Sequence, residues 1–289
     1  MNECQNQEMP LSKDLTVEEA KKIMKKLGKA EGEFATSLTA QLYWVIKEAN
    51  SGLKVRNGSA FFLDIGEGPF GITACHVINA LNEARLTGNV VACQIGRDMV
   101  FDLGDKNSII DSHDEIDIAT FRITKDEIRS IGKNILTGYQ ETWPPNPPTQ
   151  GKGVYFCGFA GSETIWLSQN LISFGATLAG GVASSISDRD ISVLIEREYL
   201  IDVIGKRLPP EDFDFRGISG GPLLTVVENR GLRLWRLAGV IYQGPNPYGE
   251  PNCSAIEGLQ IIRARRTDFI LSNGKLNTQL WNSITHFRR

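Results

Sequence analysis

Histidine is scarce in this chain: only His76, His113 and His286 occur in 289 residues, and no two cysteines form a CxxC pair. Zinc sites built from paired cysteine and histidine ligands are therefore not expected, and no metal or cofactor is assigned. The five cysteines, Cys4, Cys75, Cys93, Cys157 and Cys253, are odd in number and scattered. That pattern speaks against a disulfide framework and for a reducing compartment. No apolar run approaches the roughly 20 residues a membrane-spanning helix needs. The stretch Met1-Asn2-Glu3-Cys4-Gln5 has neither the basic nor the apolar region of a secretory signal, so a cytoplasmic location is expected. Excess positive charge is also missing. The 31 Lys and Arg against 34 Asp and Glu leave a net charge of −3, which argues against nucleic acid as the main partner.

Apolar residues make up 41% of the chain, enough for a substantial core. Thr16 and Glu19 form a capping-box pattern ahead of Ala20, Ile23, Met24 and Leu27, which recur at helical spacing. A helix is expected over about 15–30, with Lys21, Lys22, Lys25 and Lys26 on its wet face. A second helical pattern runs through Phe34, Leu38, Leu42 and Val45, although Leu42-Tyr43-Trp44-Val45-Ile46 also suits a first strand. From about 53 the texture becomes β-rich, with strands expected at 59–65, 70–74, 90–95, 99–103 and 116–123. Residues 124–136 suit a helix or irregular chain. Trp143-Pro144-Pro145-Asn146-Pro147-Pro148 reads as a stiff connector, because proline fixes φ and cannot join a sheet ladder. A second β-rich block follows, with strands expected at 153–159, 171–178, 191–194, 200–204, 223–227 and 234–241. Leu276, Leu280, Trp281, Ile284 and Phe287 then form one apolar helical stripe. Arg263, Arg265 and Arg266 read as a solvated helix face. The expected division is 1–50 an N-terminal helical extension, 51–142 a first β unit, 143–150 the connector, 151–262 a second β unit and 263–289 a C-terminal helical segment.

The chemistry concentrates at Gly217-Ile218-Ser219-Gly220-Gly221-Pro222. A serine hydroxyl is a weak nucleophile. It needs a base within hydrogen-bond reach and N–H donors aimed at the oxyanion that forms when it attacks a carbonyl. Glycines on either side let the backbone turn two such groups, Gly217 N–H and Ser219 N–H, toward one point. Upstream lie Thr73-Ala74-Cys75-His76-Val77 and Asp117-Ile118-Ala119. His76 is the candidate base and Asp117 the candidate acid that orients it. Asp111, Asp114 and Glu115 are nearby rivals without the apolar residues that follow Asp117. His113 reads as an exposed loop residue.

Two other motif matches fail on context. GISGG also fits the nucleophile turn of α/β-hydrolases, which requires a helix after the serine. Here Pro222 and Thr225-Val226-Val227 announce a strand, and the acid and base would have to be Asp268 and His286. Gly66-Glu67-Gly68-Pro69-Phe70-Gly71 fits GxGxxG, but it leads into Ile72-Thr73-Ala74 rather than into a helix, as a dinucleotide site would require.

The order His76, Asp117, Ser219 with these local contexts resembles the trypsin-like (chymotrypsin-fold) serine peptidases over roughly residues 53–262. The resemblance implies an all-β core of two antiparallel six-stranded β-barrels side by side, with N-terminal and C-terminal helical extensions added. It implies a serine endopeptidase with catalytic His76, Asp117 and Ser219 and an oxyanion hole from Gly217 and Ser219. Substrate-binding residues would be Phe213 at the base of the pocket for the side chain preceding the cut, and Tyr242, Gln243 and Gly244 along an extended peptide. Phe213 would favour small or apolar side chains there, whereas a one-residue slip onto Asp212 or Asp214 would favour basic ones. Trypsin-type zymogens place an aspartate just before the serine, and here Ile218 stands there, so that activation switch is absent. In this the chain is more similar to the HtrA-like bacterial peptidases, as a stand-alone domain without their PDZ module. The expected partners are a protein or peptide substrate and, through the terminal helices, an activating protein. The alternative is a catalytically silent scaffold that acts as a protein-binding module.

Overall fold

The computed structural model describes residues 16–48, 52–96, 99–100, 108–138, 142–168, 171–196, 200, 202, 208–210, 213–229, 232–245 and 260–286. Of the strand expected at 200–204 only residues 200 and 202 are described, and neither is in a strand; the far end of the one expected at 99–103, Phe287, Cys4 and Cys253 lie outside the described residues.

The capping box starts the first helix as expected. Thr16 Oγ1 accepts from the Glu19 N–H at 3.3 Å, and the Glu19 carboxylate accepts from the Thr16 N–H at 3.0 Å. This helix, α1 (Val17–Leu38), runs without interruption through Phe34 and Leu38. It ends where the β-branched and aromatic residues begin, and β1 (Thr39–Glu48) follows directly. The strand alternative for Leu42–Ile46 is therefore the correct one. Within the 1–50 stretch expected as a helical extension, Thr39–Glu48 is therefore a sheet strand, buried almost throughout.

The remaining N-terminal elements are β2 (Gly52–Asp64), β3 (Pro69–Thr73), α2 (Cys75–Leu86), β4 (Val90–Ile95), β5 (Met99–Val100), β6 (Ile109–His113), β7 (Ile118–Arg122), α3 (Lys125–Ile131) and β8 (Leu136–Thr137). They form an eight-stranded sheet in the order β5-β4-β1-β2-β3-β7-β6, with β8 beside β2. A closed six-stranded barrel was expected here, and among the described residues the sheet is open. Its end strands, β5 and β6, flank residues 101–107, which are not described. The Gly66–Gly68 segment is the β2–β3 turn, where Asp64 Oδ1 accepts from the Gly66 and Gly68 N–H groups.

The second half contains β9 (Gly153–Gly158), β10 (Thr164–Ser168), β11 (Leu171–Phe174), β12 (Thr177–Ile186), β13 (Asp190–Ile195), β14 (Pro222–Asn229), β15 (Leu232–Gln243), β16 (Gln260–Arg266) and α4 (Thr278–His286). Six of these close a barrel in the order β12-β13-β16-β15-β14-β9, and β10 and β11 form a separate hairpin. The stretch expected as one strand at 171–178 is divided between β11 and β12. The boundary expected at 262 falls inside β16. Arg263, Arg265 and Arg266 are therefore strand residues and not a helix face, and Arg265 is only 6% exposed.

Strand periodicity explains the packing. Successive β2 side chains point to opposite faces, and both faces are covered. Ala60 and Phe62 join Leu42, Trp44, Ile78, Leu81 and Phe121 in one core beneath α2. Phe61 and Leu63 join Leu38, Tyr155, Leu224, Leu237 and Trp281 in a second core between the sheet and the barrel. A third core fills the barrel around Phe156, Ile191, Ile241 and Ile262. The connector is pinned to the second core, with Trp143 Nε1 donating to the Ile270 carbonyl at 2.6 Å. No helix among the described residues is long and apolar enough to cross a membrane.

Candidate active site

His76 lies in the first turn of α2, directly after the β2–β3 hairpin, and Asp117 lies on the turn between β6 and β7. The structure brings the two together. The His76 ring nitrogen Nδ1 is 2.8 Å from Asp117 Oδ2, and the His76 backbone N–H donates to Asp117 Oδ1 at 2.9 Å. A carboxylate can only accept, so Nδ1 carries the proton and Nε2 is left with its lone pair, as a general base requires. The ring is about half exposed, while the Asp117 side chain is 17% exposed. Asp117 has φ +56°, in the left-handed region where aspartate is one of the few tolerated side chains.

The rival acids have other partners. Asp114 Oδ1 accepts from Asn79 Nδ2 at 2.9 Å and from the Cys75 thiol at 3.3 Å. The Asn79 hydrogen bond lowers the Asp114 carboxyl below its ordinary range. Asp111 Oδ2 accepts from the Leu276 N–H, and Glu115 Oε2 accepts from Trp281 Nε1. His113 ends β6, and its Nδ1 lies 3.3 Å from the Ile116 N–H; it is half-buried where an exposed loop residue was expected. Cys75 is buried beside the candidate base, and burial pushes its thiol up to about 12.

Ser219 lies on the turn that leads into β14. The carbonyls of this turn are held one by one. Gly161 N–H donates to the Arg216 carbonyl at 2.8 Å, Ser59 Oγ donates to that of Gly217 at 2.9 Å, Gly221 N–H donates to that of Ile218 at 3.0 Å, and Ser59 N–H donates to that of Ser219 at 2.8 Å. A trans peptide is planar, so the N–H opposes the carbonyl of the preceding residue. Pinning the Arg216 and Ile218 carbonyls therefore turns the Gly217 and Ser219 N–H groups the other way. Neither N–H has a hydrogen-bond partner among the described residues. Gly217 has φ +104°, and a Cβ there would meet the Asn57 side chain and lie 2.6 Å from the Phe159 carbonyl oxygen. Gly220 has φ +89° and abuts the Ser59 carbonyl, the Thr73 hydroxyl and the Ala74 N–H, two residues before His76. Only glycine fits either place.

The flanks of the turn are also fixed. Asp214 pairs with Arg216, whose hydrogen bond holds the Asp214 carboxyl below its ordinary range. Ser162 Oγ donates to the Asp214 carbonyl at 2.9 Å. Ile218, where a zymogen would carry aspartate, is fully buried in the barrel core.

Ser219 Oγ is not bonded to His76. Its hydrogen bond goes to the Tyr242 carbonyl at 3.4 Å. Tyr242 and Gln243 end β15 and Gly244 follows them, where an added Cβ would lie 3.1 Å from Phe215 Cβ. Phe213 is 7% exposed and meets Phe215 edge-on at 4.8 Å within the barrel core. Among the described residues, no group of three or more His, Cys, Asp and Glu side chains is placed to hold a metal ion.

Several contributors escaped the sequence. Asn57 and Ser59 on β2 carry no motif, yet Ser59 holds two carbonyls of the serine turn. Gly161 looks like an ordinary loop glycine. Arg265 lies in a basic cluster where the apolar alternation of Ile262 and Ala264 signals a strand but not the burial of Arg265, which falls on the other face with the exposed Arg263.

No family model matches the chain, and no curated protein matches it in sequence. Among solved structures, the chain is similar to Deg5, at 16% identity over 80% of this chain and 88% of that one, with a TM-score of 0.41. It is similar to the Rv3671c protease from M. tuberculosis in its active form, at 14% identity over 82% and 81% of the two chains, with a TM-score of 0.39. The serine protease domain of the Sesbania mosaic virus polyprotein is 14% identical over 80% and 88%, with a TM-score of 0.38.

Proposed function

We propose that the protein is a trypsin-like serine endopeptidase in which Ser219 is the nucleophile, His76 the general base and Asp117 the acid that orients it. The observation that carries this reading is the pairing of an Asp117–His76 hydrogen bond with a serine on a turn whose two amides are turned free of their own carbonyls. Ser219 Oγ attacks the peptide carbonyl as His76 Nε2 takes its proton. The negative charge moves onto the carbonyl oxygen, which the Gly217 and Ser219 N–H groups receive. His76 then returns the proton to the departing amine, leaving an acyl-enzyme. Water, deprotonated by the same imidazole, attacks the acyl group and frees the acid product and Ser219.

The long bond from Ser219 to Tyr242 is compatible with this chemistry. Hydroxyls change rotamer freely, and catalytic hydrogen bonds commonly tighten only when substrate binds. The hydrogen bonds already made by the serine turn favour a form that is active without a partner. An extended peptide would run along Tyr242–Gly244 by strand addition. The buried Phe213 and the close approach of Gly244 to Phe215 favour a small or apolar side chain before the cut. A peptide library tests this: wild type is expected to cleave after small or apolar residues, and the Ser219→Ala protein not at all. Cleavage after Lys or Arg would overturn the specificity reading, and equal cleavage by both proteins would overturn the mechanism. The same Ser219–Tyr242 bond favours the second reading, a silent scaffold, for which neither protein would cut.

A further inference from the structure

The guanidinium of Arg265 is enclosed on every side. Its central carbon Cζ lies over two aromatic rings, 4.6 Å from the centroid of Tyr242 and 4.7 Å from that of Trp281. Its edge donates to the Ile116 carbonyl from Nε at 2.7 Å, to the Glu115 carbonyl from Nη2 at 3.1 Å and to Asp190 Oδ1 from Nη1 at 2.6 Å. Glu115 and Ile116 are the two residues before Asp117. Tyr242 is the residue whose carbonyl accepts from Ser219 Oγ. Trp281, from α4, reaches the same turn by donating from Nε1 to Glu115 Oε2 at 2.8 Å. One planar cation therefore touches the turn that carries the candidate acid, the strand end beside the nucleophile and the C-terminal helix.

Burying a cation is costly unless its donors are met and an opposite charge lies close, and an apolar contact would join these elements without that cost. Asp117 also sits in the left-handed region, a conformation that persists only where the surroundings over-determine it. The two carbonyls that Arg265 holds are the ones that fix the approach to that residue. We propose that Arg265, braced by Trp281, is a positioning residue that sets the Asp117 carboxylate against His76. This proposal rests on the peptidase reading for its effect on rate, but the geometry it invokes can be measured without turnover.

The test uses three proteins: Arg265→Lys, Arg265→Met combined with Asp190→Asn so that no carboxylate loses its partner, and Trp281→Phe. Each is first shown to be folded by circular dichroism. Two readouts follow: the rate of acylation by a fluorophosphonate, and the downfield proton resonance of His76 Nδ1–H, which reports its hydrogen bond to Asp117. Lysine keeps the charge but cannot fork between two carbonyls. Both Arg265 variants are expected to lose about 10²-fold in acylation, the scale of a small misplacement of a catalytic group. The loss should fall on the limiting acylation rate at saturating probe rather than on the probe's apparent affinity, with the His76 resonance shifted or broadened. Trp281→Phe keeps the stack and loses the Glu115 bond, so its expected loss is a few-fold. If the Arg265 variants do not fold, the Trp281→Phe resonance carries the test. Folded variants that acylate at the wild-type rate with an unmoved resonance would overturn the proposal. If wild type itself is not acylated, the peptidase reading fails, and the resonance alone still decides whether Arg265 positions Asp117.

Discussion

The two halves of the candidate site are held by different means. His76 and Asp117, on the open sheet, are joined through side chains: one carboxylate takes both the ring N–H and the backbone N–H of His76. Ser219, on the closed barrel, is held through its backbone, with the carbonyls of residues 216–219 each engaged by a donor. The acid–base half therefore depends on the identity and protonation of two side chains. The nucleophile half depends on backbone conformation, and so on glycine, on Ser59 and on close docking against β2. A change of side chain should act on the first half, and a change of backbone freedom on the second.

The largest effect expected is on the acid–base half. His76→Ala removes the base and should cost on the order of 10⁶ in turnover. Asp117→Asn keeps the shape but lets the ring adopt the wrong tautomer, and should cost about 10⁴. Steady-state kinetics on a cleaved peptide measures both, and a loss below tenfold in either would break the comparison. Gly217→Ala acts on the other half. Its Cβ cannot be placed beside Asn57 and Phe159 without moving the turn, so one oxyanion donor is lost and kcat should fall about 10²- to 10³-fold. KM should change little, and the His76–Asp117 resonance should stay where it is. The smallest effect concerns Cys75. Its thiol is protonated at neutral pH because burial holds it up at about 12, so iodoacetamide should leave it unmodified in the native protein. Rapid alkylation would show that the floor beneath His76 is open.

Much of the site was readable because it consists of short, local patterns. Gly-x-Ser-Gly-Gly-Pro needs glycine at two left-handed positions, and that requirement is written in the residues themselves. Ile118 and Ala119, which announce a strand, single out Asp117 from Asp111, Asp114 and Glu115, and Asp117 is the carboxylate that lies against His76. Long-range contacts were harder to see. Ser59 supports the serine turn from 160 residues upstream, and nothing in Asn57-Gly58-Ser59 signals that partner. Arg265 was misplaced for a related reason: three arginines in four positions resemble a wet surface, and only the alternation Ile262, Ala264 gives away a strand. Leu42–Ile46 suited helix or strand equally, and pairing with β2 and β4 decided it. That the first sheet is open among the described residues was likewise invisible, since closure depends on how distant strand edges meet.

In the proposed mechanism, three side chains from two β units act together on one carbonyl. A fluorophosphonate probe tests it most directly, followed by mass mapping of the adduct on wild type, Ser219→Ala and His76→Ala. A single adduct is expected on Ser219 of the wild type, none on Ser219→Ala, and labelling slowed by orders of magnitude in His76→Ala. A wild-type protein that stays unlabelled, or one labelled equally fast without His76, would contradict it.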